Sequence, residues 1–405
     1  MASPFKTFGT LAAIAMLASP FAAAQDWTFE EDATFLAEHT EVVVLRSADG
    51  AARVAVAPAY QGRVMTSTGS GGTGASHGWI NYDHIRAGVL TPHINHYGGE
   101  ERFWLGPDGG QFTCFYPRGA EFTPDNWQVP AAIDSEPYSV VEKSAERVAI
   151  RHRSSAINYS LTTFEFQIDR EIAILSTEAG EESLGVAFDG ASAVGYRSTN
   201  RLTNTGANAW TRQGGQPSIW LLGMYPGGPE ATVVVPYREG DEKALGPIVN
   251  DRYLGDVPDD RLKVIYRAIY FRGDARQVTK IGVSAARSRG VCGAWDAERG
   301  TLTITKYEPP SDPDAAYVNS MLELQDEPYV GDAIHSYNDG PPADDPDRPA
   351  TFYELETSSP AQALGPGDTG QHAQETYHFQ GPREAIDRIT RGVLGVSLEE
   401  IEAAF

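Results

Sequence analysis

Cysteine is nearly absent from this chain: Cys114 and Cys292 are the only two among 405 residues. That excludes a disulfide-stapled small fold and a cysteine-based metal centre. One long-range disulfide between them and two separate buried thiols both fit the sequence. Basic residues are scarce too, with 32 Lys and Arg against 55 Asp and Glu and a net charge of −23. Nucleic acid and anionic lipid are bound mainly by basic groups that neutralise phosphate, so neither is an expected partner, whereas neutral ligands such as sugars stay open. Long apolar runs are missing except near the N-terminus, and that one falls short of the ~20 residues a membrane span needs.

The short N-terminal run has another use. Lys6, the apolar residues 11–18 and Ala22-Ala23-Ala24 before Gln25 have the charge, core and small-residue cut of a signal peptide over residues 1–24. Cleavage after Ala24 predicts a periplasmic or secreted protein, and no cysteine follows the cut to take a lipid. Residues 25–405 are expected to form one domain.

Thr28 and Glu31 form a capping box that predicts a helix to about Glu38. Strand patterning then dominates, over residues 41–46, 52–57, 62–67, 111–116, 147–154, 157–169, 219–224, 232–237, 262–272, 280–283, 301–307, 351–357 and 372–380. Many strands with Gly and Pro turns and no βαβ rhythm argue for a sandwich or barrel. Helix returns only at the end, after Pro382 and at the Ser397/Glu400 capping box. The Asp-rich loops lack the spacing of a calcium-binding loop and are expected as solvated turns.

Three clusters carry chemistry. His93, His96, Glu100, Glu101, Arg102 and Trp104 lie within a dozen residues. Imidazole and carboxylate suit proton transfer, and a flat aromatic gives a sugar ring a platform. His335, Tyr337, Asn338 and Asp339 form the second cluster, which is also a turn signature at Asn338-Asp339-Gly340. In the third, alternation sends Glu354 and Glu356 to one strand face and Tyr353 and Leu355 to the other. Two carboxylates side by side in a concave sheet raise at least one pKa, which makes a general acid or base.

The segments Gly62-Arg63-Val64-Met65-Thr66-Ser67, Gly98-Gly99-Glu100-Glu101-Arg102-Phe103-Trp104, Asn338-Asp339-Gly340-Pro341-Pro342 and Glu354-Leu355-Glu356 resemble an uncharacterised family of secreted bacterial proteins. That family in turn looks like a distant member of the galactose-mutarotase (aldose 1-epimerase) superfamily. The resemblance implies an all-β fold, a large antiparallel β supersandwich with short N- and C-terminal helices and a sugar cleft on its concave face. It also implies a Glu acting as general base on the anomeric hydroxyl, matched by Glu356 upstream of Gly365-Pro366-Gly367, with Glu354 second. His96 or His93 is the nearest counterpart of the superfamily's acid, although the sequence around the epimerase His is not reproduced.

The expected function is an exported carbohydrate-active protein that binds a neutral sugar or oligosaccharide. The expected chemistry is acid/base work at the anomeric centre by Glu356, Glu354, His96 and His93. Glu101, Arg102, Trp104, Arg63, His335, Tyr337, Asn338 and Asp339 are the expected substrate-binding residues, with no cofactor and no metal. A hydrolase would pair two of Glu101, Glu354, Glu356 and Asp339. A lyase would draw on Arg63, Arg102 or Lys280. The alternative from another class is a noncatalytic glycan-binding or envelope scaffold protein, and a zinc site at His93 and His96 lacks any accompanying motif.

Overall fold

The computed structural model describes residues 27–265, 267–310, 312, 315–341 and 351–405. The expected signal peptide lies outside the described residues. Helix α1 (Phe29–His39) begins as its capping box dictates. Thr28 Oγ1 accepts the Glu31 amide at 3.3 Å and Glu31 Oε2 accepts the Thr28 amide at 2.8 Å, satisfying donors that a helix start otherwise leaves open.

Strands β1 (Val43–Arg46), β2 (Arg53–Ala57) and β3 (Arg63–Thr68) form a small antiparallel sheet in that order. Helix α2 (Tyr82–Ala87) precedes β4 (Arg102–Gly106). Next come β5 (Ser139–Lys143), β6 (Arg147–Ile157), β7 (Thr163–Ile174), α3 (Thr177–Leu184), β8 (Ser192–Asn204), β9 (Ser218–Pro226) and β10 (Ala231–Pro236). After α4 (Glu242–Leu245) the chain continues through β11 (Leu262–Ile265), β12 (Ala268–Arg272), β13 (Thr279–Ser284), β14 (Val291–Asp296) and β15 (Thr301–Tyr307). It ends with β16 (Asp332–Asn338), β17 (Phe352–Ser358), β18 (Thr369–Gln380), α5 (Arg383–Val393) and α6 (Leu398–Glu402).

Ten of these strands make one antiparallel sheet, ordered β11-β12-β10-β14-β15-β18-β8-β7-β6-β5, and five make another, ordered β13-β16-β17-β9-β4. Alternation decides what lies between them. Phe103, Ile219 and Leu221 pack with Ile168 and Ile172, and Ile281, Ile334 and Leu355 pack with Val233 and Phe271. The outer face of the ten-stranded sheet, including Val234, Tyr270 and Ile304, is covered by α5 and α6 through Ile386, Ile389, Leu398 and Ile401. Each of those four buried side chains contributes ~1.5–3 kcal/mol. The result is the large antiparallel β sandwich with short terminal helices that the resemblance implies.

Local differences from the sequence expectation have local causes. Residues 111–116 form turns, because Thr113 bonds back to Gly110 and Asp108. The run over 157–169 is broken where the Asn158 side chain accepts the Thr162 amide at 2.8 Å and Leu161 takes a φ of 66°. The run over 262–272 folds on itself at Arg267, with φ 67°, into the β11–β12 hairpin. Cys114 and Cys292 are both free thiols, and burial pushes each up to about 12.

Candidate active site

The five-stranded sheet has a second face, turned away from the interlayer core, and its register assembles charge there. Gly282 pairs with His335, His335 with Glu356, Glu356 with Leu222, and Leu222 with Arg102. Directly opposed residues share a face, and so do residues two apart on one strand. Lys280, Tyr337, Glu354, Trp220, Met224 and Trp104 therefore join the same surface. Loops close over it: Trp127 meets the Trp104 ring at 6.0 Å and donates from Nε1 to Asp108 at 2.9 Å. The Asp108 amide donates to Ser320 at 3.2 Å, and Tyr253 reaches in from the loop before β11.

Glu356 sits at the centre, fully buried. Its Oε2 accepts Trp220 Nε1 at 2.9 Å and Lys280 Nζ at 3.3 Å, and His335 Nδ1 lies 3.9 Å away. Among the described residues its Oε1 and His335 Nδ1 have no hydrogen-bond partner. Burial drives the Glu356 carboxyl up to about 7; the Lys280 charge opposes this and the Glu354 charge adds to it. Burial, helped by Lys280, holds His335 well below the ordinary imidazole range, so it is neutral. Beside them Arg102 donates to Glu354 at 2.9 Å and lies 4.3 Å over the Trp104 ring, while Lys280 lies 4.7 Å over Trp220. Lys280 and Arg102 face Glu356 and Glu354 in matched pairs. Among the described residues no group of His, Cys, Asp and Glu is arranged to hold a metal ion. A shallow groove of about 380 Å³ beside α1, lined by Glu30, Thr34 and Val44, shares no residue with this cluster.

Of the residues singled out in the sequence, Arg102, Trp104, His335, Tyr337, Glu354 and Glu356 come together on this face. Others go elsewhere. His93 is exposed on the loop before β4, its Nδ1 on the Trp127 carbonyl at 2.6 Å, and His96 is half-buried on the same loop. Neither is among the partners of Glu356. Glu101 points into the interlayer, where it meets Arg170 at 2.6 Å and Ser198 at 2.6 Å. Arg63 is buried against the Gly98 carbonyl at 3.1 Å and Gln61 at 3.4 Å. Asn338 holds a turn, accepting the Ala275 amide at 2.9 Å and donating to the Gln277 carbonyl at 2.9 Å. Asp339 is buried beside it, its amide on the Phe352 carbonyl at 3.0 Å.

Nothing in the sequence alone points to Trp220, Tyr253 or Asp332, and Lys280 enters only as a lyase cation. Lys280 and Trp220 lie in strands whose alternation is readable, but only the register puts them beside Glu356. Tyr253 and the strand-end Asp332 have no sequence signal.

A family model described as a family of unknown function (DUF6786) matches residues 27–405. No curated protein matches the chain in sequence. Among solved structures, a protein from Synechocystis sp. PCC 6803 aligns at 11% identity over 85% of this chain and 96% of its own, with a TM-score of 0.50. A putative aldose 1-epimerase from Escherichia coli K12 aligns at 12% identity over 84% of this chain and 98% of its own, with a TM-score of 0.48. A galactose mutarotase-like protein from Lactobacillus casei ATCC 334 aligns at 12% over 84% of this chain and all of its own (100%), with a TM-score of 0.47. At such identities the likeness is one of fold.

Proposed function

We propose that this chain, which belongs to the DUF6786 family, is an exported carbohydrate-active protein. On this proposal it binds a neutral sugar or glycan on the outer face of the five-stranded sheet and moves a proton at its anomeric centre through Glu356. The observation that carries the proposal is the state of Glu356. A wholly buried carboxyl that burial drives up to about 7, beside a lysine and an imidazole and with one oxygen lacking a partner among the described residues, suits general acid–base work at neutral pH. The resemblance that makes Glu356 the counterpart of the superfamily's proton-transferring Glu supports it.

Each neighbour has a part. Trp220 and Lys280 hold Oε2, which leaves Oε1 to meet a hydroxyl of the sugar. Trp104 and Trp220 pack edge to face at 5.6 Å beneath the Arg102 and Lys280 cations and hold them in place, and neutral imidazole at His335 offers the second proton-transfer group. Among the described residues Arg102 is engaged by Glu354 and Lys280 by Glu356 when that carboxyl is ionised, so above about pH 7 neither cation is free for a uronate, which supports a neutral ligand. Export rests on the signal-peptide pattern of residues 1–24. Fractionation of expressing cells with N-terminal sequencing tests it, a mature protein starting at Gln25 outside the cytoplasm being expected. One observation favours a noncatalytic glycan-binding role: Glu356 is wholly covered and Lys280 nearly so.

A thermal-shift screen against neutral mono- and oligosaccharides and uronates, with product analysis of each hit, separates these roles, because a ligand that binds only the native state raises the melting temperature. A neutral-sugar hit with turnover that disappears in Glu356→Gln is expected. A hit without turnover supports binding alone, and stabilisation by uronates only contradicts the neutral-ligand proposal.

A further inference from the structure

Behind His335, on the side away from Glu356, lie two residues that the proposed chemistry leaves unused. Tyr253 Oη is 2.6 Å from Asp332 Oδ2 and 3.2 Å from His335 Nε2. Asn250 Nδ2 donates to the same Asp332 oxygen at 3.2 Å. Tyr253, Asp332 and His335 are all buried.

A tyrosine hydroxyl has one proton to give. The short contact and the stronger acceptor assign that proton to the Asp332 carboxylate. The Tyr253 oxygen is then left only as an acceptor, so His335 Nε2 must carry a hydrogen and donate it. A neutral imidazole has a single N–H, and burial beside Lys280 keeps this one neutral. Nδ1 therefore bears a lone pair, on the side where Glu356 Oε2 is 3.9 Å away and where Nδ1 has no hydrogen-bond partner among the described residues.

The sheet makes room for this chain of bonds at one position. Gly282 is the cross-strand partner of His335, and a Cβ there would lie 2.2 Å from Asp332 Oδ2 and 2.8 Å from the Tyr253 ring. Any larger residue displaces the pair.

We infer that Tyr253 and Asp332 are positioning residues that fix His335 as its Nε2–H tautomer, so that Nδ1 acts as a proton acceptor next to Glu356. The inference rests on the proposed function for its use of that acceptor, but not for the tautomer. With Glu356 protonated below about pH 7, the face then pairs one carboxylic acid with one imidazole base. A hydroxyl placed between them gives its proton to Nδ1 as Glu356 delivers one to a second oxygen; two protons move and total charge is conserved.

The test is the ¹⁵N spectrum of His335 in the ligand-free protein at pH 7, assigned by comparison with His335→Gln. The wild type is expected to show Nδ1 as an unprotonated ring nitrogen and Nε2 bearing the hydrogen. In Tyr253→Phe, which keeps the ring and removes the acceptor, this preference is expected to be lost and Nδ1–H to appear. Gly282→Ala is expected to move the spectrum in the same direction by displacing Asp332. A wild-type Nδ1 that carries the hydrogen, or a Tyr253→Phe spectrum identical to wild type, overturns the inference. The measurement needs no substrate, so a protein that binds no sugar yet shows Nε2–H defeats the proposed function and leaves this assignment standing.

Discussion

The five-stranded sheet has buried charge on both faces, and the two faces are completed differently. Toward the interlayer, both oxygens of Glu101 are matched, by Arg170 on one side and by Ser198 and Gln374 on the other. Glu100 is matched in the same way by Ser67 and His378. On the outer face Glu356 keeps one oxygen, and His335 one nitrogen, without a hydrogen-bond partner among the described residues. A buried polar group without a partner costs about 1–3 kcal/mol, and the interlayer also carries such atoms, at Arg170 Nε and Asn200 Oδ1, so the two faces differ in their carboxylates and not in the presence of orphaned atoms. What sets the outer face apart is narrower: a carboxylate oxygen and an imidazole nitrogen, both able to carry a proton, are left open side by side there, although both faces are wholly buried and rich in charge.

The largest effect that sharpens this contrast belongs to the interlayer. Arg170→Ala leaves the Glu101 carboxylate buried and unpaired, which is expected to cost about 3–5 kcal/mol in urea unfolding. A loss below about 1 kcal/mol breaks the assignment of that network as structural. On the outer face Glu356→Gln keeps an acceptor for Trp220 and mimics the protonated carboxyl, so below about pH 7 it is expected to melt within a few degrees of wild type, while any sugar turnover falls by about 10²–10⁴-fold. Large destabilisation with unchanged turnover would reverse the roles of the two faces.

A smaller effect is the pH dependence. The Glu356 pKa is raised in the folded protein, from 4.5 to about 7. Its contribution to stability is therefore fully present below about 4.5 and is lost as pH rises through about 7. The stability of wild type relative to Glu356→Gln should decline across that window and stay flat below it, as read by thermal melts of the two proteins in parallel. A difference that grows with pH contradicts the raised pKa. The smallest effect is expected for His93→Ala, an exposed site away from Glu356, where stability should change by no more than about 0.5 kcal/mol and sugar binding not at all.

The sequence made one kind of feature legible and hid another. Capping boxes at Thr28/Glu31 and Ser397/Glu400 set helix starts because the interaction spans three residues. Alternation put Glu354 and Glu356 on one face and Tyr353 and Leu355 in the core for the same reason of short range. What joins Lys280 and Trp220 to Glu356 is strand register between segments far apart in the chain, and no local pattern encodes it. The dense run around His93 and His96 drew attention by composition alone, yet a strand start splits it. Arg102 and Trp104 face outward with Glu356, Glu101 faces the interlayer, and the two histidines stay on the preceding loop. Tyr253 and Asp332 sit in no motif, and Gly282 leaves the space in which they meet beside His335.

The measurement that tests the account most directly is a carboxyl ¹³C NMR titration of the protein labelled at glutamate, compared with Glu356→Gln. A resonance with its midpoint near pH 7 that is missing from the variant is the predicted result. If the resonance removed by the substitution instead titrates near the ordinary value of about 4.3, Glu356 is a plain ion-pair partner of Lys280 and the outer face is as structural as the inner one.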